Sequence, residues 1–472
     1  MRSRLHLIFR VRGSHSALLN AAERPHRMKA RTLFAHSKTG ARPRYTAHSK
    51  IGARPRYTAH SHKQRGSVFV VSLAVVAGLV AILASIAASQ RVAVRASINR
   101  MEARRAELAA QSGIQRALAE FSSQDPNLTT HQDPWAILSV GGEDQFIVGR
   151  ESFRIEIVDS SSTLDLNSVD ETQLLNLPMT TEQIDSLLDW RSGERDPRPE
   201  GAKDEFYNNL LAPYNAKLGA FDSLSELLLV RGFTPQSLYE VQTDIVNTGT
   251  TIPGSVENQP VLAELLGTDT RSASVGPTGQ TLLNVNGNNV NVGTLIQRGF
   301  SAPLAMAILQ RRPHSGVGSI LSVPGVNQTN ATLVLDNLTT SGAPTRVGRV
   351  NVNTASESVL AALPGMQADI ASSIVARQPT GINSLGELLS VPGLSLQVLQ
   401  QIVDRLTVNS QSFRVRVEGR AGKGRALYEA TLVLEDGGAR LLKVRRAPFS
   451  DMPARWGWVA EPSRDVIITE LQ

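Results

Sequence analysis

The chain has 472 residues, with 49 Lys and Arg, 42 Asp and Glu, no Cys and 5% aromatics. That length allows two or three domains, and the lack of Cys excludes a disulfide framework and thiol chemistry. The net charge of +7 is segregated: residues 1–65 hold 16 Lys and Arg against Glu23 alone, which leaves 33 basic and 41 acidic side chains in the rest, a balance of −8 that argues against binding a phosphate backbone.

Residues 1–66 form a basic leader. Ala35 to Thr46 recurs from Ala47 with Ile51 in place of Thr39, and a third copy begins at Ala59 and breaks off. So basic a segment has little to bury and is expected to be disordered. It suits an arm for nucleic acid or anionic lipid. It also suits a leader removed in processing, or one translated from upstream of the true start, and this second reading is the expected one.

Ser67 to Gln90 carries no charge. As a helix these residues extend about 36 Å, enough to cross a hydrocarbon core of about 30 Å. The basic flank holds the N-terminus in the cytoplasm, so everything after the helix lies outside the inner membrane. The helical pattern continues without Pro to Phe121. It sets Val94, Ile98, Met101, Leu108, Ile114, Leu118 and Phe121 near one face, with Arg95, Arg100, Arg104, Arg105 and Glu107 largely off it. Asp125-Pro126-Asn127 ends the helix. Such a stripe expects a partner, either the chain's own globular part or neighbouring helices.

Beyond the helix, Ser152 to Val158 alternates in period two and predicts a strand, as does the run from Ser412. Gly422-Lys423-Gly424 and Asp436-Gly-Gly turn that run into a meander ending near Arg446. Strands on both sides of a long helical stretch predict one small sheet interrupted by an insertion. The insertion repeats internally. Its third copy reads Val350-Asn-Val-Asn, Leu360-Ala-Ala-Leu-Pro-Gly, Arg377 and Ser384 to Gly393. The first reads Leu164-Asp-Leu-Asn, Leu174-Leu-Asn-Leu-Pro, Arg191 and Ser223 to Gly232. A degraded middle copy runs from Leu283 to Gly325. Each Asn-x-Asn is expected to cap the first helix of its copy. The first copy carries some 25 extra residues, mostly Ser192 to Lys217. The predicted domains are therefore 1–66, 67–121, 122–163, 164–250 with the insert, a linker 251–280, 281–340, 341–409, 410–449 and a tail 450–472.

Helix–hairpin–helix repeats raise a nucleic-acid reading. From Val350 to Thr407, however, two Arg (Arg377, Arg405) face four acids (Glu357, Asp369, Glu387, Asp404), so protein packing is expected. Catalysis has no support. Outside the leader only His131 and His314 occur, far apart, and no nucleophile or metal-spaced pattern accompanies them. The insert is acidic through Glu194, Asp196, Glu200, Asp204 and Glu205, with Asp189 just before it. On residues alone it suits a solvated loop or a site for a hard cation such as calcium.

From Gln64 to about Phe449 the chain resembles the type II secretion minor pseudopilin K family. Lys63-Gln-Arg-Gly66 resembles a prepilin peptidase site, and the resemblance implies cleavage after Gly66 and methylation at Ser67. Val71 stands fifth from Ser67, where most pilins carry Glu, and that absence is a trait of the K family. Asp189-Trp190, Gly201 to Tyr207, Ser225-Glu-Leu and Val230-Arg-Gly232 resemble the family's calcium-bearing run, with Lys203 and Ser192 where acids are usual. The resemblance implies an α+β fold: a pilin-like long helix and a small antiparallel sheet, interrupted by helix–hairpin–helix-like repeats. It implies a non-enzymatic tip subunit of a pseudopilus, single-pass in the inner membrane, working with other minor pseudopilins, the inner-membrane secretion platform and prepilin peptidase, and binding no nucleic acid. It also implies one calcium ion, for which Glu194, Asp196, Asp204 and Glu205 are the candidate ligands. A type IV pilus minor pilin and a membrane-tethered DNA-uptake receptor remain alternatives.

Overall fold

A computed structural model describes residues 67–121, 124–241, 260–435, 438–459 and 464–467. The leader and Gly66 lie outside the described residues. The uncharged run and its extension form one helix, α1 (Ser67–Glu120).

Six strands make the main sheet: β1 (Asp144–Val148), β2 (Glu151–Asp159), β3 (Ser412–Ala421), β4 (Gly424–Glu435), β5 (Gly438–Arg446) and β6 (Arg464–Ile467). Their spatial order is β5-β4-β3-β2-β1-β6. All neighbours are antiparallel except β6, which pairs parallel to β1. The predicted interruption is present, since β2 and β3 lie side by side with Ile155 opposite Val417 and Phe153 opposite Gly419. Alternation sends Phe153, Ile155, Ile157, Phe413, Val415 and Val417 to one face, where they pack with α1. β1 and β6 were not legible as strands.

The helix meets this face through small residues. Ala106, Ala110, Gly113, Ile114, Ala117 and Phe121 are buried, whereas Val94, Ile98, Met101 and Leu108 of the expected stripe stay exposed. The correction has a steric cause. A Cβ on Gly113 would lie 2.8–2.9 Å from Ile155, Phe153 and Val417, and one on Gly419 would lie 2.1 Å from the Ala106 carbonyl oxygen. At such close approach the sheet takes Ala106, Ala110 and Gly113, while Ile114, Leu118 and Phe121, the end of the expected stripe, pack with the same cluster further along the helix.

Of the tail 450–472, to which the sequence assigns no role, residues 450–459 pack on the other face and 464–467 form the edge strand β6. Met452, Trp456 and Trp458 are buried with Leu427. Trp458 lies over Arg154 at 5.0 Å and donates Nε1–H to Glu156. Arg154 is buried beside Glu418.

Between β2 and β3 stands a lobe with one continuous core. Each of its three repeats opens and closes with a two-residue parallel pair: Leu164–Asp165 with Leu266–Gly267, Leu283–Asn284 with Leu338–Thr339, and Val350–Asn351 with Leu406–Thr407. The first repeat therefore closes within the expected linker 251–280. Leu262, Leu265 and Leu266 are buried in the lobe core, and Leu266-Gly-Thr stands where Leu338-Thr-Thr and Leu406-Thr-Val close the other copies.

The Asn-x-Asn motifs do not cap helices. The last Asn of each instead exchanges two hydrogen bonds with one distant backbone unit: Asn167 with Phe221, Asn286 with His314, and Asn353 with Ile382. Capping falls to Asp170, Asn291 and Ser356. An Asn amide carries both a donor and an acceptor, so it can satisfy a peptide N–H and C=O together. It thereby draws the chain before the closing helix back onto the repeat's start.

Candidate functional site in the first repeat

The insert hangs from α2 (Thr181–Arg191), which starts at a capping box of Thr180 and Gln183. Ile184, Leu187 and Trp190 face the core. Asp185 and Asp189, one turn apart, are also buried. Asp185 accepts from Arg198 Nε at 2.7 Å and from the Glu200 N–H at 3.1 Å, while Asp189 Oδ2 accepts from the Arg198 N–H at 3.0 Å. Gly201 is needed beside them, because a Cβ there would lie 1.9 Å from Asp189 Oδ2.

Lys203 is only 8% exposed. Its ammonium donates to the Asp189 carbonyl at 2.7 Å and the Ser192 carbonyl at 2.8 Å. These oxygens belong to the C-terminal end of α2, where carbonyls lack intrahelical partners and the helix dipole is negative. The far arm of the insert begins with a short helix, Asp204–Asn208. Asp204 Oδ1 accepts from the Ala216 N–H at 2.7 Å. Tyr207 is buried between Trp190, edge-on at 5.2 Å, and Tyr214, stacked at 5.3 Å. Trp190 Nε1 donates to Glu226, which also pairs with Lys217.

The electrostatics follow the burial. Desolvation pushes the Asp189 carboxyl up, against the Arg198 N–H and the charge of Lys203, which favour the anion. The bond to Asp185 is the largest influence holding the Arg198 guanidinium above its ordinary value. Burial pushes the Tyr207 hydroxyl up to about 12.

The four candidate calcium ligands are not drawn together as a ligand set. Glu194, Asp196 and Glu205 are exposed around an open concavity that Asp204, Phe206 and Leu218 also line. Among the described residues no three His, Cys, Asp or Glu side chains are close enough to hold a metal ion. The carboxylates that do organise the insert are Asp185 and Asp189, and both are spent on Arg198 and on backbone N–H groups. Asp189 stands out in the sequence beside the loop acids, whereas Asp185, four residues earlier on the same helix, is legible only from that spacing.

Of the other named positions, Ser67 is the first residue of α1, and Val71 lies in its exposed apolar stretch. Arg377 and Arg405 of the third repeat have partners within the chain. Arg377 donates to Ser390 Oγ and to the Ser390 carbonyl, and Arg405 pairs with Asp170. His314 is buried with Nε2 at 2.8 Å from the Ile308 carbonyl, a packing role.

Residues 172–243, α2 and its insert among them, match the family described as type II secretion system (T2SS), protein K. Residues 346–407 match the helix-hairpin-helix motif. A chain in the crystal structure of the GspK-GspI-GspJ complex from the enterotoxigenic Escherichia coli type 2 secretion system is similar at 14% identity and a TM-score of 0.39, over 75% of this chain and 99% of that one. No curated protein matches the chain.

Proposed function

We propose that this chain, which belongs to the type II secretion system protein K family by its residues 172–243, is a minor pseudopilin that ends a periplasmic pseudopilus and supports protein export across the outer membrane. The observation that carries the reading is the uncovered apolar surface of α1. Val68 to Ile86 offer an uncharged span for the bilayer, and Val92, Val94, Ile98, Met101 and Leu108 continue past it while the sheet covers only the face of Ala106, Ala110, Ile114, Ala117 and Phe121. Apolar surface of this extent needs a cover. Lipid supplies it along the span before assembly, and neighbouring pseudopilin helices supply it afterwards. In this reading prepilin peptidase cleaves after Gly66, Ser67 becomes the methylated N-terminus, and the repeats lie in the periplasm. Val71 brings no carboxylate to attract the N-terminus of a subunit above, which suits a terminal position. The three repeats serve packing, and the chain performs no catalytic step.

The chain has no native Cys, so single cysteines report cleanly. Ile98→Cys is expected to cross-link in membranes to a matched cysteine on another minor pseudopilin of the same system, and Arg104→Cys, off the stripe, is not. Equal capture by both, or by neither, would remove the support this surface gives. Immunogold label spread along the filament, with no bias to one end, would rule out the terminal position.

A further inference from the structure

The resemblance leads one to expect a calcium ion in the insert, and the donor set does not fit one. Glu194, Asp196 and Glu205 point to solvent around a wide opening, Asp204 is engaged by the Ala216 N–H, and Asp185 and Asp189 are committed to Arg198 and Glu200. A hard dication takes six to eight oxygens at short range, and no such gathering of side chains is present among the described residues. What the insert does hold is a buried cation of its own.

We propose that the Lys203 ammonium stands in for the divalent cation, binding the carbonyl end of α2 and ordering residues 192–217 without metal. Its two acceptors, the carbonyls of Asp189 and Ser192, are the oxygen type a calcium ion would take, and the Asp189 carboxylate stands close enough to feel its charge. An ammonium has three donors and no acceptor, so it satisfies helix-end carbonyls as an ion would. Lys203 also begins the far arm, since its carbonyl accepts from the N–H groups of Phe206 and Tyr207. One residue thus ties the end of α2 to the start of the 204–208 helix and closes the loop 192–203. The tether is covalent, so the order of the insert does not depend on the calcium concentration outside the inner membrane.

The test uses the full chain in detergent, with thermal melting and chymotryptic cleavage at Phe206, Tyr207 and Tyr214 as readouts. Wild type is expected to show the same Tm and the same cleavage rate in millimolar calcium and in excess chelator. Lys203→Met is expected to speed cleavage within the insert by about tenfold, the equivalent of losing one charge-assisted hydrogen bond, with no rescue by calcium. Lys203→Asp restores an acid beside Asp189 and is expected to make protection of the insert calcium-dependent. A calcium-raised Tm in wild type overturns the proposal. So does full protection of the insert in Lys203→Met, because the ammonium would then be a bystander. If Lys203→Asp folds and calcium leaves its cleavage unchanged, the ammonium does not occupy the ion's position and the substitution argument fails.

Discussion

The first and third repeats are one design at two depths. Both open and close with a two-residue parallel pair, and both carry an Asn that exchanges two hydrogen bonds with a distant backbone unit. In the third repeat that Asn, Asn353, is fully buried, and its neighbour Asn351 donates to a buried carboxylate, Asp159, at the end of β2. In the first, Asn167 is exposed, and the place of Asn351 is taken by Asp165, which bonds Thr270 instead of the sheet. The third repeat is thus bolted to the end of β2 through its opening Asn, whereas the first reaches the sheet through its closing segment, where Asp269 pairs with Lys443 and its carbonyl accepts from Ser412, and it carries the insert. Local clasps define the repeat, and their burial decides what the repeat can be used for.

The sharpest way to break this comparison is to cut both clasps. Asn353→Ala leaves the N–H and C=O of Ile382 buried without partners, at a cost of roughly 3 kcal/mol. Asn167→Ala removes the same two bonds where water can replace them, at about 1 kcal/mol or less. Urea denaturation followed by Trp fluorescence measures both. Equal losses would mean that depth does not distinguish the repeats.

Next in size is the bolt to the sheet. Asp159 receives the Ser161 N–H, Asn351 Nδ2, Thr354 Oγ1 and Ser410 Oγ. Desolvation nevertheless pushes its carboxyl above the ordinary value, with those four donors opposing. Asp159→Asn sets amide hydrogens against converging donors and is expected to cost about 2 kcal/mol at neutral pH. The sign of the pH effect follows from the raised value. The folded state holds the Asp159 proton to higher pH than the unfolded chain, so its contribution is fully favourable below the unfolded value of about 3.9 and declines as pH rises through the folded value. Asn does not titrate there. The stability gap between wild type and Asp159→Asn should therefore widen on acidification from about pH 7 to about pH 4. A gap that narrows would show that the four donors outweigh burial and that the carboxylate is favoured in the fold.

The sequence displayed the parts whose signal is local. Period-two alternation marked β2 and β3, the glycine at 422 marked their hairpin neighbour, and repeated Leu, Pro and Gly spacing marked the lobe. It concealed the parts that depend on distant partners. Asn167 and Asn353 look like helix caps until Phe221 and Ile382 are brought beside them. Leu266 looks like linker until it pairs with Leu164 across a hundred residues. On α1 the stripe residues Ile114, Leu118 and Phe121 do meet the sheet, but hydrophobic spacing weighs bulk and so does not mark Ala106, Ala110 and Gly113, which the close approach at Gly419 and Gly113 requires. In the insert, the acids that stand out in the chain are the solvated ones. Of the residues that hold the loop, Asp189 and Lys203 are visible in the sequence but without their partners, and Asp185 is hidden inside a helix.

The smallest expected effect concerns how each repeat ties down the turn after its opening strand. Arg191 and Arg377 stand at the same distance from their clasp Asn, yet they do different work. Arg191 donates to the carbonyls of Leu166 and Val169, whereas in the third repeat Gln378 serves Val352 and Ala355 and Arg377 turns out to Ser390. The turn whose middle residues, Asn353 and Thr354, are buried thus takes a neutral amide, and the turn whose middle residues, Asn167 and Ser168, are exposed takes a guanidinium. Desolvation lowers the Arg191 pKa, and the charges of Asp165 and Asp170 offset this, so the cation suits the first repeat only because acids stand nearby. Arg191→Gln loses reach to one of the two carbonyls and the attraction to those acids, but Arg191 is only half-buried and Asn167 and Ser168 beside it are exposed, so water is expected to replace the lost bond. A loss of about 1 kcal/mol is expected in the same urea titration. A loss as large as that of Asn353→Ala would place the first repeat's turn in the same buried class as the third's, and the contrast in depth between the two repeats would fail at this position.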